Sequence, residues 1–157
     1  MEVRLSVTTG QKLPDFGAAS TDGEFSLSSM KGRKLVLYFY PKDNTPGCTN
    51  ESIDFRDRID AFEKAGATVV GISRDSLKSH EGFRAKHDLP FALISDPDEK
   101  LCELFGVMKM KNMYGRQVRG VERSTFVIDA DGRLAREWRG VKVPGHADEV
   151  LDCVRSI

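Results

Sequence analysis

Cys48 is the residue of this chain whose neighbours most favour chemistry. It follows the loop-forming residues Pro46 and Gly47, and it opens a stretch in which Phe55 and Phe62 recur at helical spacing. A cysteine in the first turn of a helix lies beside free backbone N–H groups and the positive end of the helix dipole. Both features favour the thiolate, the reactive form of the side chain, so Cys48 is the candidate nucleophile.

The other cysteines and the histidines have less suggestive surroundings. Cys102 and Cys153 lie among apolar residues of predicted helices, and both are expected to be small core side chains. Three cysteines are too few and too dispersed for a disulfide framework, which favours a reducing compartment. His80, His87 and His146 do not show metal-ligand spacing, so no metal site is predicted.

Composition and charge exclude several classes of function. The length of 157 residues suits one domain, and we predict a single domain over residues 1–157. Lys and Arg number 24, as do Asp and Glu, so the basic excess typical of nucleic-acid-binding proteins is missing. The apolar runs are too short to cross a bilayer, and Met1 to Leu5 does not begin a secretory signal. We therefore expect a cytoplasmic protein that binds neither nucleic acid nor membrane.

The hydrophobic pattern predicts alternating strands and helices. Lys34 to Tyr40 is a continuous apolar run typical of a strand buried on both faces, and Pro41 ends it. Turn signals at Asp22-Gly23 and over 129–132 predict two hairpins. The predicted elements are a hairpin over 18–28, strands over 34–40, 68–73, 91–95, 124–129 and 134–138, and helices over 48–65, 76–87, 97–105 and 146–155.

This order of elements predicts an α/β protein whose central mixed sheet is flanked by helices. The terminal antiparallel strand pair indicates a thioredoxin-like fold, to which the first hairpin adds an N-terminal extension. Ligands of open α/β sheets bind at the carboxyl ends of strands, which is where Cys48 is expected. Asp96, followed by Pro97 and Glu99, predicts an N-capped helix start.

Two ordered blocks of sequence resemble the peroxiredoxin family. Pro41, Thr45 and Cys48 match its Pro-x-x-x-Thr-x-x-Cys signature, and the string YFYPKDNTPGCTNE is similar to the Q-type branch, the bacterioferritin comigratory proteins. VERSTFVID, from 121 to 129, resembles the second family block, in which an arginine precedes a Ser/Thr-Thr-Phe strand. KNMYG and VKVPGHADEVL also resemble this branch, so the similarity covers nearly the whole chain in one register.

The resemblance implies a thiol peroxidase that reduces hydrogen peroxide and organic hydroperoxides without a metal or organic cofactor. Cys48 is then the peroxidatic cysteine, which becomes a sulfenic acid. Arg123 offers a permanent charge and several donors, which suit the thiolate and the peroxide oxygens. The Thr45 hydroxyl is able to accept from the peroxide and to donate toward the sulfur.

Three further residues complete the expected site. Pro41 is expected to shield the thiolate from water, and backbone N–H groups near Gly47 to stabilise the developing charge and bind substrate. Glu51, one helical turn further on, is expected to orient Arg123. Taken singly, Pro41 is a strand terminator, Thr45 a turn residue and Arg123 a solvated charge. Their common register around the cysteine favours the functional interpretation.

The chain departs from the Q-type pattern at the resolving cysteine. That branch often places one five residues after the peroxidatic cysteine, where this chain has Ile53, or in the following helix, where residues 76–87 include none. We therefore expect a one-cysteine cycle in which thioredoxin, glutaredoxin or a small thiol reduces Cys48 directly. An intramolecular disulfide with Cys102 or Cys153 is the minor alternative.

Two other functions remain open on the sequence alone. A redox-sensing or chaperone-like binding module would use the same fold with little turnover. A thiol–disulfide oxidoreductase would carry Cys-x-x-Cys, whereas the residues after Cys48 are TNE.

By resemblance to the Q-type branch we expect a monomer. Three methionines before the arginine block either fill gaps in the core or line an apolar collar near the site, namely Met108, Met110 and Met113.

Overall fold

Seven strands form one mixed sheet within residues 7–157, the part of the chain that the computed structural model describes. The strands are β1 (Gly17–Ser20), β2 (Gly23–Ser26), β3 (Lys34–Phe39), β4 (Ala67–Ser73), β5 (Leu93–Ser95), β8 (Ser124–Ile128) and β9 (Leu134–Arg139). Their order is β2-β1-β5-β4-β3-β8-β9, with β3, β4 and β5 parallel and the other neighbours antiparallel. Met1 to Leu5, for which no secretory signal is predicted, lie outside the described residues.

Strands β6 (Met108–Met113) and β7 (Arg116–Val121) form a separate hairpin, which the sequence pattern did not predict. Its turn consists of Tyr114 and Gly115, whose φ angles are 54° and 79°. Two successive residues with positive φ are typical of the tightest hairpin turns, which usually begin with Asn, Asp or Gly. Because this turn begins with tyrosine, the usual sequence signal for a two-residue hairpin turn is missing here.

Five α-helices accompany the strands, and two of them differ from the predictions. The helices are α1 (Pro46–Asp57), α2 (Ile59–Lys64), α3 (Leu77–His87), α4 (Lys100–Leu104) and α5 (His146–Ser156). The helix predicted over 48–65 is interrupted at Arg58, and the helix predicted to begin at Pro97 begins at Lys100, because Glu99 takes a left-handed φ of 63°. The Asp96 carboxylate nevertheless accepts hydrogen bonds from N–H groups in the first turn of α4.

Two apolar clusters lie on opposite faces of the sheet, and together they confirm the predicted layered α/β architecture. Alternate residues of β3 point to each cluster, as the apolar run of that strand indicated. One cluster contains Cys102 of α4, and the other contains Cys48 together with buried residues of α1, α2, α3 and α5. Among the described residues, no helix has the length and apolar character needed to cross a membrane.

Tyr38 of β3 fills the layer beneath the start of α1. It is fully buried, its hydroxyl shares a hydrogen bond with Ser52 at 2.8 Å, and its ring stacks on Phe55 with centroids 4.8 Å apart. Its register partner on β4 is Gly71, where a Cβ would lie 2.8 Å from Tyr38 Cζ and 2.9 Å from Leu93 Cδ2. Gly71 therefore leaves the space that the tyrosine ring occupies.

We expect Gly71→Ala to lower the free energy of unfolding by about 1–3 kcal/mol, because the added methyl overpacks a filled core. Gly82→Ala is the matched control, since Gly82 lies in α3 with open space at its Cβ position. That control should gain about 0.5–1 kcal/mol through helix propensity. Urea denaturation of both variants measures the difference, and a neutral Gly71→Ala would contradict the packing argument.

Candidate active site

The pairing of β3 with β8 brings two segments of the site together. Phe39, the last residue of β3, pairs with Ser124, the first residue of β8. The loop and helix that follow β3 therefore lie beside Arg123, which immediately precedes β8. Residues 75 positions apart in the chain are in contact here.

Cys48 lies in the first turn of α1, after the N-cap residue Thr45, and is 1% exposed. Its Sγ accepts a hydrogen bond from Arg123 Nη2 at 3.5 Å. Pro46 occupies the first position of the helix, and the N–H groups of Gly47 and Cys48 belong to the first turn, which lacks intrahelical acceptors. A permanent cation and backbone dipoles therefore face the sulfur from two sides.

The Arg123 guanidinium bridges Cys48 and Glu51. Nη2 donates to the sulfur, and Nη1 donates to Glu51 Oε1 at 2.7 Å. Burial disfavours the charged guanidinium, but the charges of Glu51 and Cys48 outweigh it, and the pKa of Arg123 is raised above its ordinary value. The cation is thus held at a fixed position beside the thiol.

Glu51 is a buried carboxyl group with one unsatisfied oxygen. The residue is 1% exposed, and its Oε2 has no hydrogen-bond partner among the described residues. Burial raises the pKa of Glu51 to about 7, although the charge of Arg123 and its hydrogen bond act in the opposite direction. A group that titrates near neutral pH therefore lies in contact with the cation of the site.

The remaining predicted residues surround this centre. Thr45 Oγ1 donates to the carbonyl of Lys42 at 2.8 Å, rather than toward the sulfur, and so closes the turn before α1. Pro41 is half-buried just beyond the end of β3. A Cβ on Gly47 would lie 3.1 Å from Arg123 Nη2, so a glycine there lets the guanidinium approach the helix.

His146 contributes a contact that the sequence analysis did not predict. Its Nε2 shares a hydrogen bond with Thr125 Oγ1 at 2.8 Å, and its ring lies edge-on to Trp138 and Phe55. Burial lowers the pKa of His146 to about 4, so the imidazole is neutral at physiological pH. The residue joins α5 to β8 and α1. Its only signal in the sequence was that it lies in VKVPGHADEVL, a segment that resembles the Q-type branch.

Cys102 lies on the other face of the sheet from Cys48, whereas Cys153 packs against the same apolar cluster as Cys48 but beside the start of β3. Cys102 packs in the cluster on the other face of the sheet, where burial and Asp96 strongly raise its pKa. Cys153 lies near the C-terminal end of α5, where the neighbouring Val154 carbonyl accepts from Lys34 Nζ at 2.9 Å. Lys34 begins β3 and Cys48 follows its end, so about 17 Å of strand separates the two regions. A disulfide requires Cα atoms within about 7 Å.

The structure supports the gap-filling interpretation for Met108. Met108 packs against the cluster that contains Cys102, on the face of the sheet opposite Cys48. Met110 and Met113 are 60% and 47% exposed on the β6–β7 hairpin.

Comparison with known proteins identifies the class to which this fold and site belong. Residues 9–137 match the model of the AhpC/TSA family, and the chain belongs to that family. Bacillus subtilis peroxiredoxin Bcp is 47% identical over 154 residues, which cover 98% of each chain. The chain is therefore a peroxiredoxin, a thiol-dependent peroxidase of the Bcp/peroxiredoxin Q type, as the motifs predicted.

Two solved structures support the same assignment. A mutant of Xylella fastidiosa PrxQ has a TM-score of 0.91 and 44% identity, with 96% of each chain covered. The Xanthomonas campestris bacterioferritin comigratory protein, solved as trapped intermediate and ligand complexes that concern its alkyl peroxide reduction activity, has a TM-score of 0.86 and 49% identity, with 90% of each chain covered. These likenesses confirm the predicted thioredoxin-like fold.

We expect the stability of the protein to carry a pH dependence that comes from Glu51. The ordinary pKa of 4.5 applies to the unfolded chain and a pKa of about 7 to the folded one, so the folded state binds the proton more tightly. The stabilisation is complete below pH 4.5 and is lost as the pH rises through 7. Over this window wild type should lose on the order of 3 kcal/mol relative to Glu51→Gln.

Urea midpoints of wild type and Glu51→Gln between pH 4 and 8 measure this difference. Subtracting one profile from the other removes the opposite contribution of His146, whose lowered pKa stabilises the folded state as the pH rises. Parallel profiles for the two proteins would show that Glu51 does not titrate in this range.

Gly47→Ala should slow the oxidation of Cys48 by roughly tenfold, because the methyl displaces the guanidinium nitrogen that contacts the sulfur. Alanine suits the helix interior, so stability should not fall with the rate. Gly82→Ala serves as the matched control, with an unchanged rate. Stopped-flow measurement with hydrogen peroxide tests both variants, and equal rates would show that the guanidinium tolerates the methyl.

Proposed function

We propose that this peroxiredoxin reduces hydrogen peroxide and organic hydroperoxides through Cys48 and is regenerated by an external thiol. The observation that carries the proposal is the contact between Cys48 Sγ and Arg123 Nη2 in the first turn of α1. The alkyl peroxide reduction activity of the similar Xanthomonas campestris protein supports organic hydroperoxides as substrates.

The proposed reaction begins with attack by the Cys48 thiolate on one peroxide oxygen. A sulfur–oxygen bond forms while the oxygen–oxygen bond breaks, and the leaving oxygen takes up a proton to become water or an alcohol. Negative charge builds on the leaving oxygen, and donors fixed in advance stabilise it. Arg123 and the N–H groups of Gly47 and Cys48 supply such donors, while Glu51 holds the guanidinium in place.

Thr45 and Pro41 have supporting roles in this proposal. The Thr45 hydroxyl donates to Lys42, which leaves its oxygen lone pairs to accept a hydrogen bond from a protonated peroxide. Pro41 lacks an N–H group and lies half-buried at the strand end, where it limits access of water to the sulfur.

The regenerating step uses thiols from outside the chain, because Cys102 packs on the other face of the sheet and Cys153 lies beside the start of β3, whereas Cys48 follows its end. One thiol attacks the sulfenic acid, releases water and forms a mixed disulfide, and a second thiol then frees the Cys48 thiol. Thioredoxin, glutaredoxin and small thiols all suit this scheme. We further propose one domain over residues 1–157, a monomeric state and a cytoplasmic location, where such thiols are kept reduced.

The redox-sensing or binding-module alternative is not favoured, since the family and its relatives are peroxidases. A thiol–disulfide oxidoreductase is disfavoured by the separation of the three thiols. Cys102 is disfavoured as a second reactive thiol, because burial and the neighbouring Asp96 raise its pKa, whereas Arg123 contacts the sulfur of Cys48.

Cys48→Ser should abolish peroxide reduction, because it removes the nucleophile. Cys102→Ser and Cys153→Ser should retain the wild-type rate within about twofold, because serine is a conservative replacement and both positions lie outside the active site. Stopped-flow assays with hydrogen peroxide and an organic hydroperoxide measure all three variants. Turnover that persists in Cys48→Ser would overturn the assignment.

Mass spectrometry after one equivalent of peroxide distinguishes the two catalytic cycles. We expect a gain of one oxygen on Cys48 in the wild-type monomer. A loss of two hydrogens, which marks an intramolecular disulfide and disappears in Cys102→Ser or Cys153→Ser, would contradict the one-cysteine cycle.

A further inference from the structure

The loop between β3 and α1 is fixed through one buried side chain, that of Asp43. Its carboxylate accepts hydrogen bonds from the Tyr40 hydroxyl at 2.7 Å, Ser79 Oγ at 2.8 Å and His80 Nδ1 at 2.7 Å. Its backbone N–H donates to the Asp75 carboxylate at 2.9 Å. Groups from the end of β3, from α3 and from the segment after β4 therefore converge on this residue.

His80 of α3 is fully buried, and each of its ring nitrogens faces an acceptor. Nδ1 contacts the Asp43 carboxylate, and Nε2 contacts the carbonyl oxygen of Ile94 at 2.9 Å. A carboxylate accepts hydrogen bonds, so the contact at Nδ1 is made by an N–H group of the ring that donates to Asp43. Burial opposes ionisation of Asp43, but the hydrogen bonds from His80 and Tyr40 outweigh it and lower the pKa of that carboxyl.

The same residues do not form an available metal site. Asp43, Asp75 and His80 each place one potential ligand atom within 4.8 Å of the others. However, His80 Nδ1 already donates to Asp43, and Asp75 Oδ2 accepts from Ser73 Oγ at 2.5 Å and from the Asp43 N–H group. Hydrogen bonds inside the cluster use the atoms that a cation would need.

The buried pair is connected to the reactive thiol by a short path along the chain. Asn44, which follows Asp43, takes a left-handed φ of 63°, and Thr45 is the N-cap of α1. Cys48 lies in the first turn of that helix, against Arg123. A displacement of Asp43 therefore moves the start of α1 and the sulfur with it.

We propose that His80 is a positioning residue for the peroxidase reaction, which holds Asp43 and thereby the start of α1 so that Cys48 lies against Arg123. The proposal rests on the proposed function of Cys48. His80 lies in a different helix from the cysteine and acts only through Asp43. The charged and titratable groups that face it are Asp43, Asp75 and Tyr40.

Two substitutions of His80 separate positioning from plain stability. His80→Asn places an amide nitrogen where Nδ1 lies and keeps the donor to Asp43, whereas His80→Gln keeps only the donor toward Ile94. Both variants lose one buried donor and should lose similar stability in urea. We expect His80→Asn to oxidise Cys48 within about threefold of the wild-type rate and His80→Gln to be roughly 10–100-fold slower.

The control is His87→Gln, which changes a half-buried histidine of the same helix and should leave the rate unchanged. Equal rates for His80→Asn and His80→Gln, or rates that follow stability alone, would overturn the proposal. A wild-type Cys48 that reacts no faster than a free thiol would instead refute the proposed function.

A measurement on the wild-type protein tests the same pair if either variant fails to fold. Nitrogen-15 NMR of the His80 ring should show a proton on Nδ1, the nitrogen that faces Asp43. A ring without a proton on Nδ1 would overturn the proposal, because Asp43 would then lack the donor that is proposed to hold it.

Discussion

The Arg123 guanidinium joins the start of β8 to α1, and the geometry of the site depends on its two contacts. A thiolate buried from water is costly without a neighbouring cation, and a buried cation is costly without a carboxylate. Both requirements are met here, because Arg123 donates to the Cys48 sulfur with one nitrogen and to the Glu51 carboxylate with the other. The antiparallel register of β3 and β8 makes these contacts possible, because it places the end of one strand beside the start of the other.

The layers of the fold separate Cys48 from Cys102. β3 is buried on both faces, so helices packed on either side share a strand without touching each other. Cys48 lies above a layer of aromatic rings that includes Tyr38 and Phe55, whereas Cys102 packs beneath the sheet. The rigidity of this aromatic layer and the hydrogen bonds of Asp43 hold the first turn of α1 from two directions.

Local sequence patterns predicted the elements with strong signals and missed those with weak ones. The apolar run of β3 and the amphipathic pattern of α5 gave correct positions to within about two residues, the usual uncertainty of helix ends. The β6–β7 hairpin was missed because β6 combines Met with Lys, half of β7 is polar or charged, and the turn begins with Tyr114. The break at Arg58 between α1 and α2 was missed because neither neighbour of Arg58 is glycine or proline.

The motifs predicted which residues form the site but not their contacts. Thr45 was expected to donate toward the sulfur and donates to Lys42 instead, since a hydroxyl takes the acceptor that the folded turn presents. Asp43 and His80 lie 37 positions apart, and no spacing rule links them before the sheet is assembled. The unsatisfied oxygen of Glu51 likewise depends on tertiary burial.

The positions of the three thiols also have a kinetic consequence. A partner thiol within reach would trap the sulfenic acid at a rate independent of concentration, whereas in the proposed one-cysteine cycle reduction and a second oxidation to the irreversible sulfinic acid are both bimolecular. The ratio of reducing thiol to peroxide around each molecule then sets the number of turnovers it completes before inactivation.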